Sequence, residues 1–310
     1  MEEIGNRLRA KESEIQGSGK LTRRTLLAAG TAGAATLLTG TSAHAADDVP
    51  ARLRALEKDH DARLGVYAHN LATGRSVAHR ADELFPICSV FKTLTAAAVL
   101  RDLDRDGEEL ARRIHYTRAD LVDGAPVTGK AENLAHGMTV AELCDAAIRY
   151  SDNSAANFLL RELGGPTAIT RFARSIGDPV TRLDRWEPEL NSAEPGRVTD
   201  TTSPRAIGRS YGRLVLGDAL NRRDRARLTD WLLRNTTGDR RVRAGVPVGW
   251  TVGDKTGSGS YGTTNDVAVA WTPEGAPIVL AVLSTTPQAD RAWDDALVAG
   301  AASVAAGALV

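Results

Sequence analysis

The stretch Cys88-Ser89-Val90-Phe91-Lys92 opens a long apolar segment that runs to Leu103. Pro86 stands just before it, so we expect an extended chain to turn into a helix here. Residues three apart on a helix lie on one face, about 5–6 Å apart at their Cβ atoms. The spacing therefore predicts that Ser89 and Lys92 point into the same space. A lysine kept neutral there could take the serine's proton, and the helix N-terminus would offer N–H groups to an oxyanion. The pair alone is common by chance and needs partners elsewhere in the chain.

Composition limits the possible classes of protein. The chain has 310 residues, of which 42% are hydrophobic and 25% charged, enough for one large domain or two modest ones. Its 39 basic and 39 acidic residues give a net charge of +0. This balance gives no reason to expect a nucleic-acid partner or an anionic membrane surface, although a neutral chain can still carry a local charged patch.

The N-terminal 45 residues have the pattern of an export signal. Thr22-Arg23-Arg24-Thr25-Leu26-Leu27 is a twin-arginine pattern, and a small-residue apolar run follows it to Thr41. Ala43-His44-Ala45 then supplies a small-x-small cleavage site. The apolar run is too short and too broken by glycine for a permanent anchor. We interpret residues 1–45 as a removed signal and predict a secreted mature chain that begins near Ala46, without a stable membrane anchor.

The chain has two cysteines and six histidines, the residue types that disulfide and metal chemistry would use. Cys144 lies within an apolar helical periodicity and Cys88 precedes the candidate nucleophile, so we predict two free, buried thiols rather than a disulfide. No histidine in a supporting motif stands near Cys88 to make it the nucleophile. The histidines are scattered and none pairs at a metal-ligand spacing, so we predict neither a metal site nor a cofactor.

Periodicity and turn residues give an outline of the fold. Strands are expected at 63–70, 75–79, 250–257, 266–271 and 278–283, and helices at 51–60, 139–150, 155–163, 167–176, 205–216, 222–234 and 289–308. Strands with a helix at both ends of the chain predict one α/β domain built from residues 46–83 and 236–310. An all-α domain, residues 84–235, would be inserted between them. The Pro-rich stretch 182–204 is expected to be a long surface loop.

Three further elements accompany the Ser-x-x-Lys pair. Ser151-Asp152-Asn153 interrupts two helices, and its aspartate is expected to be structural. Glu187 and Asn191 lie in the Pro-rich loop, and Lys255-Thr256-Gly257 lies on a strand. In this order the motifs resemble those of the serine β-lactamases and penicillin-binding proteins, and the Glu-x-x-x-Asn loop resembles that of the class A β-lactamases. The resemblance covers residues 46–310 and implies an antiparallel sheet flanked by helices, an inserted all-α domain, an Ω-like loop at 182–204 and an active site in the cleft between the domains.

The resemblance implies a catalytic role for five residues. Ser89 would open the β-lactam ring and become an acyl-ester, with backbone N–H groups of Ser89 and Ser258 as the oxyanion hole. Lys92 would activate Ser89 or keep its proton network ordered, and Ser151 would pass a proton to the leaving nitrogen. Glu187, assisted by Asn191, would activate the water that hydrolyses the ester. Whether Lys92 or Glu187 is the base for acylation stays open.

Five residues would bind the substrate. Asn153 would hydrogen-bond the side-chain amide of the substrate. Lys255, Thr256 and Ser258 would bind its carboxylate through charge and hydroxyl donors. Arg241 resembles an arginine that reinforces this carboxylate pocket in part of the family, although an ordinary surface arginine is the alternative.

Other positions match the family or depart from it. Arg185 with Asp200 resembles the ion pair that closes the neck of the loop. Gly124 stands where many relatives carry an aromatic gate. Cys88 fills the first place of a disulfide that is frequent in carbapenem-hydrolysing relatives, but Gly259 stands where its partner is expected. This departure weakens a carbapenemase interpretation.

The resulting hypothesis is a secreted, monomeric serine β-lactamase that hydrolyses penicillins and cephalosporins and needs no cofactor. One alternative is a penicillin-binding D-Ala-D-Ala peptidase, which lacks the deacylating glutamate and is disfavoured by Glu187 with Asn191. A β-lactam sensor that acylates once is a second alternative, although sensors usually carry a transmembrane segment. An esterase on the same scaffold is a third.

Overall fold

The computed structural model describes residues 48–310, so the predicted export signal lies outside the described residues. In chain order the helices are α1 Val49–Asp59, α2 Phe91–Ala98, α3 Glu108–Ala111, α4 Ala131–His136, α5 Val140–Arg149, α6 Asn153–Leu163, α7 Thr167–Ser175, α8 Pro204–Val215, α9 Arg222–Leu233, α10 Val242–Gly245 and α11 Asp295–Leu309. The strands are β1 Arg63–Asn70, β2 Ser76–His79, β3 Phe85–Pro86, β4 Arg113–Ile114, β5 Met138–Thr139, β6 Thr201–Thr202, β7 Thr251–Ser258, β8 Thr264–Trp271 and β9 Pro277–Thr285. Within this range no helix combines the length and the apolar character needed to cross a membrane.

Five strands form one antiparallel sheet in the order β2-β1-β9-β8-β7. Strand β1 pairs with β9 along its whole length, from Arg63 opposite Thr285 to Asn70 opposite Ile278. The N-terminal hairpin therefore joins directly to the C-terminal strands, as the sequence predicted for a sheet built from both ends of the chain. The central strands β8 and β9 are buried on both faces, which explains the apolar runs at 267–271 and 278–283.

Helices cover both faces of the sheet, so the predicted fold class is confirmed. The helices α1 and α11 pack on one face around a core that includes Leu53, Leu280 and Val298. On the other face α8 crosses the sheet closely, since a Cβ atom on Gly208 would lie 2.9 Å from the ring of Tyr67. The division into domains at residues 84 and 235 stays a prediction.

The helix that follows Ser89 is the centre of the helical part. Every residue of α2, from Phe91 to Ala98, is buried, because α5, α6, α7 and α9 surround it. Most of its residues are apolar, and its polar Lys92, Thr93 and Thr95 are buried with them. The first turn differs from the sequence prediction: Cys88–Val90 is a 3-10 turn, and the α-helix begins at Phe91.

Most other helix and strand predictions agree with the structure to within two residues, and the capping box of Thr139 and Glu142 is present. The last helix is an exception, because it begins at Asp295 and not at the predicted residue 289. Asp294 caps it by accepting a hydrogen bond from the backbone N–H of Leu297, at 2.9 Å. The carbonyl of Ala289 instead accepts from the N–H of Tyr261, so residues 286–294 form a loop against the sheet.

The two cysteines, Cys88 and Cys144, are free and buried, as predicted. Burial raises the pKa of both thiols above the ordinary value, so both stay protonated and unreactive near neutral pH.

Asp152 joins the helical elements around the site. Its fully buried carboxylate caps α6 by accepting from Ala155 N–H at 2.8 Å and also accepts from the N–H groups of Val127 and Thr128, each at 2.9 Å. The hydroxyl of Thr128 donates to the same carboxylate. Asp152 therefore fixes the turn between α5 and α6 to the loop before α4.

We predict that D152A lowers the free energy of unfolding by about 3 kcal/mol. The substitution leaves buried N–H groups without an acceptor, and each such group costs ~1–3 kcal/mol. Urea unfolding measures the loss. D145A is the matched control: the partly exposed Asp145 pairs with Arg149, one helical turn away, and with Arg234, so its removal is expected to cost less than about 1 kcal/mol. Equal losses in the two variants would contradict the assignment of Asp152.

Candidate active site

Ser89 lies in the 3-10 turn between β3 and α2, with 6% of its surface exposed. The turn begins with Cys88 in the left-handed region, at φ +44°. Strand β7 packs directly against it, because a Cβ atom on Gly257 would lie 3.2 Å from Ser89 N. The side-chain amide of Asn265 on β8 donates to the carbonyl of Pro86 at 2.8 Å. The position of Ser89 is therefore set by the sheet as well as by its own helix.

Lys92 is fully buried one turn after Ser89, and acceptors surround its ammonium group. Nζ donates to the carbonyl of Ser151 at 2.8 Å and to Oδ1 of Asn153 at 2.6 Å. It also lies 3.0 Å from Oε1 of Glu187. These three acceptors occupy the three hydrogens of the ammonium group. Ser89 Oγ donates to the same Glu187 oxygen at 3.4 Å, so the serine and the lysine share one carboxylate oxygen.

Glu187 is held by both its side chain and its backbone, and only 1% of its surface is exposed. Oε2 accepts from Nδ2 of Asn191 at 2.5 Å. Asn157, on α6, accepts from the N–H of Glu187 at 3.0 Å and donates to its carbonyl at 2.8 Å. Sequence reasoning missed Asn157. Asn157 lies four residues after Asn153, so both are on one face of α6. This spacing could have indicated that Asn157 also faces the site.

Ser151 lies between the two lysines of the site. Its backbone is in the left-handed region, at φ +56°, and its Oγ accepts from Lys255 Nζ at 3.0 Å. Lys92 Nζ lies 3.5 Å from the same hydroxyl. Lys255 is fully buried on β7, and this burial, followed by the charge of Lys92, lowers its pKa well below the ordinary value. A negatively charged ligand beside Lys255 would restore its charged form.

Arg241 is buried, which excludes the alternative of an ordinary surface arginine. Its Nε donates to Oδ1 of Asp295, and its Nη1 donates to the carbonyls of Gly257 and Asn265, all within 2.8–2.9 Å. Its Nη2 donates to Ser258 Oγ at 2.8 Å. These contacts use four of the five guanidinium N–H groups. One N–H on Nη2 is left over, beside Ser258.

The other predicted binding residues lie in the same cleft. Thr256 Oγ1 is 2.6 Å from Oγ1 of Thr237, at the base of the wall formed by β7. Across the cleft, Asn153 donates from Nδ2 to the carbonyl of Asp123 at 2.8 Å. Gly124, at φ +80°, has no room for a side chain, because its Cβ would lie 2.6 Å from Nδ2 of Asn153. This wall of the cleft therefore carries no side chain at position 124.

The loop that carries Glu187 is closed by the predicted ion pair, since Arg185 Nε lies 2.6 Å from Oδ2 of Asp200. The cleft between this loop, the Ser151 turn and β7 has a volume of about 1120 Å³. On the β7 side of this cleft, the unused N–H of Arg241 lies beside the hydroxyl of Ser258. This wall therefore suits an anionic group of a ligand. Within residues 48–310 no group of histidine, cysteine, aspartate and glutamate side chains could hold a metal ion.

Comparison with known proteins identifies the family. The model of the β-lactamase enzyme family matches residues 48–308. The β-lactamase of Streptomyces albus G is 64% identical over 303 residues, which cover 92% of this chain and 96% of that protein. The β-lactamase of Streptomyces lavendulae is 62% identical over 295 residues, which cover 93% of this chain and 97% of that protein.

Solved structures agree with the sequence relatives. The structure of the Streptomyces albus G β-lactamase superimposes with a TM-score of 0.84 at 67% identity, covering 85% of this chain and all of that one. A class A β-lactamase described as the last common ancestor of Gram-negative bacteria has a TM-score of 0.79 at 55% identity, covering 83% of this chain and 97% of that one. The chain belongs to the β-lactamase enzyme family, as a class A serine β-lactamase.

Proposed function

We propose that this β-lactamase hydrolyses penicillins and cephalosporins through an acyl-ester on Ser89, which is released by water that Glu187 activates. The observation that carries the proposal is the sharing of one Glu187 oxygen by Ser89 Oγ, at 3.4 Å, and Lys92 Nζ, at 3.0 Å. A nucleophile, a base and a cation that orients the base are thus in contact inside one cleft.

The arrangement supports Glu187 as the acceptor of the serine proton during acylation. The three hydrogens of Lys92 are donated to Ser151, Asn153 and Glu187, so its nitrogen has no lone pair directed at Ser89. The hydroxyl of Ser89 already donates to the carboxylate. As Ser89 Oγ attacks the carbonyl carbon of the lactam, its proton passes to Glu187. The N–H groups of Ser89 and Ser258 bind the oxyanion that forms.

The leaving nitrogen must gain a proton as the lactam C–N bond breaks. Ser151 is placed for this step, because Lys255 donates to its Oγ at 3.0 Å and can replace the proton that it gives away. The proton that Glu187 took from Ser89 then passes through Lys92, whose Nζ lies 3.0 Å from Glu187 and 3.5 Å from Ser151 Oγ, and replaces the proton that Lys255 supplied. Glu187 is then a carboxylate again. In the second half of the reaction it takes a proton from water, with Asn191 fixing the carboxylate through Oε2. The resulting hydroxide cleaves the ester, and the proton returns to Ser89.

The carboxylate of the substrate is expected to lie beside Thr256, Ser258 and the remaining N–H of Arg241, near Lys255. Charge-assisted hydrogen bonds from a guanidinium group and from hydroxyls bind a carboxylate in a fixed orientation. Asn153, across the cleft, is positioned to bind the amide of the acyl side chain. Its Oδ1 and Nδ2 hydrogen bonds to Lys92 and Asp123 keep its side chain in place.

The peptidase, the sensor and the esterase receive less support. The peptidase and the sensor trap their acyl-ester and have no use for a glutamate such as Glu187, whose backbone and carboxylate are both fixed in the cleft. Glu187 argues only mildly against the esterase. The relatives from Streptomyces lavendulae and Streptomyces albus G are named β-lactamases. A monomeric state is part of the proposal, as is secretion after removal of residues 1–45.

Substitution of Glu187 is expected to separate the two half-reactions. In E187A, Lys92 is released from its carboxylate partner and can accept the serine proton, so acylation by benzylpenicillin continues slowly. Hydrolysis of the ester has no base, so kcat falls at least ~100-fold, and mass spectrometry shows a stable adduct. S89A is expected to form no adduct.

E189A is the matched control, because Glu189 is an exposed glutamate of the same loop. It is expected to turn over benzylpenicillin without a trapped adduct. An E187A protein that hydrolyses the substrate at the rate of the parent would contradict the mechanism, and a stable adduct on the parent itself would indicate a penicillin-binding protein.

Arg241 is expected to recognise the substrate carboxylate. R241A should lower kcat/KM for benzylpenicillin by about 10–100-fold, since a charge-assisted hydrogen bond contributes ~1.5–3 kcal/mol. For the methyl ester of the same penicillin, R241A should lower kcat/KM by less than about threefold, because the ester has no carboxylate for the arginine to bind. The neighbouring R240A, whose side chain is 84% exposed, is the control and should change neither value by more than about twofold. Equal losses for acid and ester would show that Arg241 acts only through the structure.

Export through the twin-arginine signal is tested with the full-length chain in a bacterial host. Replacing Arg23 and Arg24 with lysine is expected to keep the active enzyme inside the cell, because the arginine pair is the part of the signal that the receptor reads. The parent should be found outside the cytoplasm with an N-terminus near Ala46, measured by N-terminal sequencing. Export of the lysine variant at the level of the parent would contradict this localisation.

A further inference from the structure

Trp293 is the most exposed aromatic side chain of residues 48–310, with 62% of its surface accessible. It lies in the active-site cleft, on the side of β7. The other residues that line this cleft, as far as the chain is described, are polar, charged or small, and none of them is aromatic. A tryptophan is normally mostly buried, so an indole left open in a polar substrate cleft is a surface available for a ligand.

The indole is held in place before any ligand arrives. Its Nε1 donates to the carbonyl of Gly259 at 3.0 Å. The loop that carries it is fixed to the sheet, because Asp294 N donates to Thr264 Oγ1 at 3.0 Å and Tyr261 N donates to the carbonyl of Ala289 at 3.0 Å. A ligand that stacks on a ring already fixed in one orientation loses little of its binding energy to ordering that ring.

The position of the indole relates it to one part of the substrate. Asp295, two residues after Trp293, accepts from Arg241, and Arg241 in turn donates to Ser258. The indole is bonded to Gly259, the residue after Ser258. It therefore lies at the edge of the proposed carboxylate pocket. In a cephalosporin the ring carbon next to the one that bears the carboxylate carries a variable substituent, whereas in a penicillin the corresponding carbon carries two methyl groups.

We propose, as an extension of the function proposed above, that Trp293 forms a subsite for the ring substituent that neighbours the substrate carboxylate. The subsite favours a flat aromatic or heteroaromatic substituent, which can stack on the indole, over a methyl group. It adds specificity on the β7 side of the cleft, whereas the position of Gly124, on the other side, offers no aromatic surface.

The test compares the parent with W293A on two pairs of cephalosporins. The first pair shares one acyl side chain and differs in the ring substituent, a heteroaromatic thiomethyl group against a methyl group. W293A is expected to reduce the ratio of their kcat/KM values, aromatic over methyl, by about fivefold, the size of one aromatic contact. The second pair shares the methyl group and differs in the acyl side chain, and its ratio should stay within about twofold of the parent value.

W293F separates stacking from the hydrogen bond to Gly259, because phenylalanine keeps a ring but has no N–H donor. It is expected to retain most of the preference for the aromatic substituent. Thermal unfolding shows whether each variant is folded, and the ratio of two substrates on one sample is independent of the active fraction.

An unchanged first ratio in folded W293A would overturn the subsite while leaving the proposed function intact. A change confined to the second ratio would place the indole at the acyl side chain and would also overturn it. A parent enzyme that hydrolyses benzylpenicillin but no cephalosporin would contradict both this inference and the cephalosporin part of the proposed function.

Discussion

The buried ion pair of Lys92 and Glu187 is the constraint on which the rest of the site depends. Both side chains are completely shielded from water, and their charged atoms are 3.0 Å apart. Two charges are stable in such a place only if further hydrogen bonds satisfy the atoms that the pair leaves over. Ser151 and Asn153 do this for the lysine, and Asn191 does it for the glutamate. The residues of the proposed site thus allow each other to be buried.

The fold brings this pair together from segments that are far apart in the chain. Lys92 is rigid because α2 is buried on every side, and Glu187 is rigid because Asn157 binds its backbone N–H and carbonyl. The sheet supplies the third wall through β7, whose Gly257 lies against the turn of Ser89. A site assembled in this way keeps its geometry without substrate, as electrostatic stabilisation of a transition state requires.

How far the sequence could predict these features depends on whether the signal was local. Ser89 with Lys92, and Thr139 with Glu142, are three residues apart, so helical geometry alone places each pair together. The long-range neighbours were placed by the family motifs, since no spacing rule connects residue 92 to residue 187. Asn157 was missed because an asparagine inside a helix has no motif of its own.

The predicted start of the last helix, which put Trp293 inside it, was wrong because the deciding contacts are again long-range. The sequence from residue 289 is rich in alanine and favours a helix, but the hydrogen bonds of Tyr261 with Ala289 and of Asp294 with Thr264 compete with the helical ones. Tertiary contacts prevailed over local propensity, and the helix began only at Asp295. This six-residue difference is what leaves the indole in the cleft instead of on the surface of a helix.

Backbone strain is concentrated around the same site. Of the seven non-glycine residues with positive φ between residues 48 and 310, Ser151 lies in the proposed site and Cys88 adjoins Ser89, whereas Ala193 and Asp200 belong to the loop of Glu187. Such conformations cost about 1–3 kcal/mol each and persist only where the surroundings determine them. Around Cys88 the surroundings are the apolar core on the helical side, which includes its neighbours Ile87 and Val90. Around Ser151 they are hydrogen bonds, because its carbonyl and its hydroxyl accept from Lys92 and Lys255. The conformation of each turn is therefore maintained by contacts from other parts of the fold.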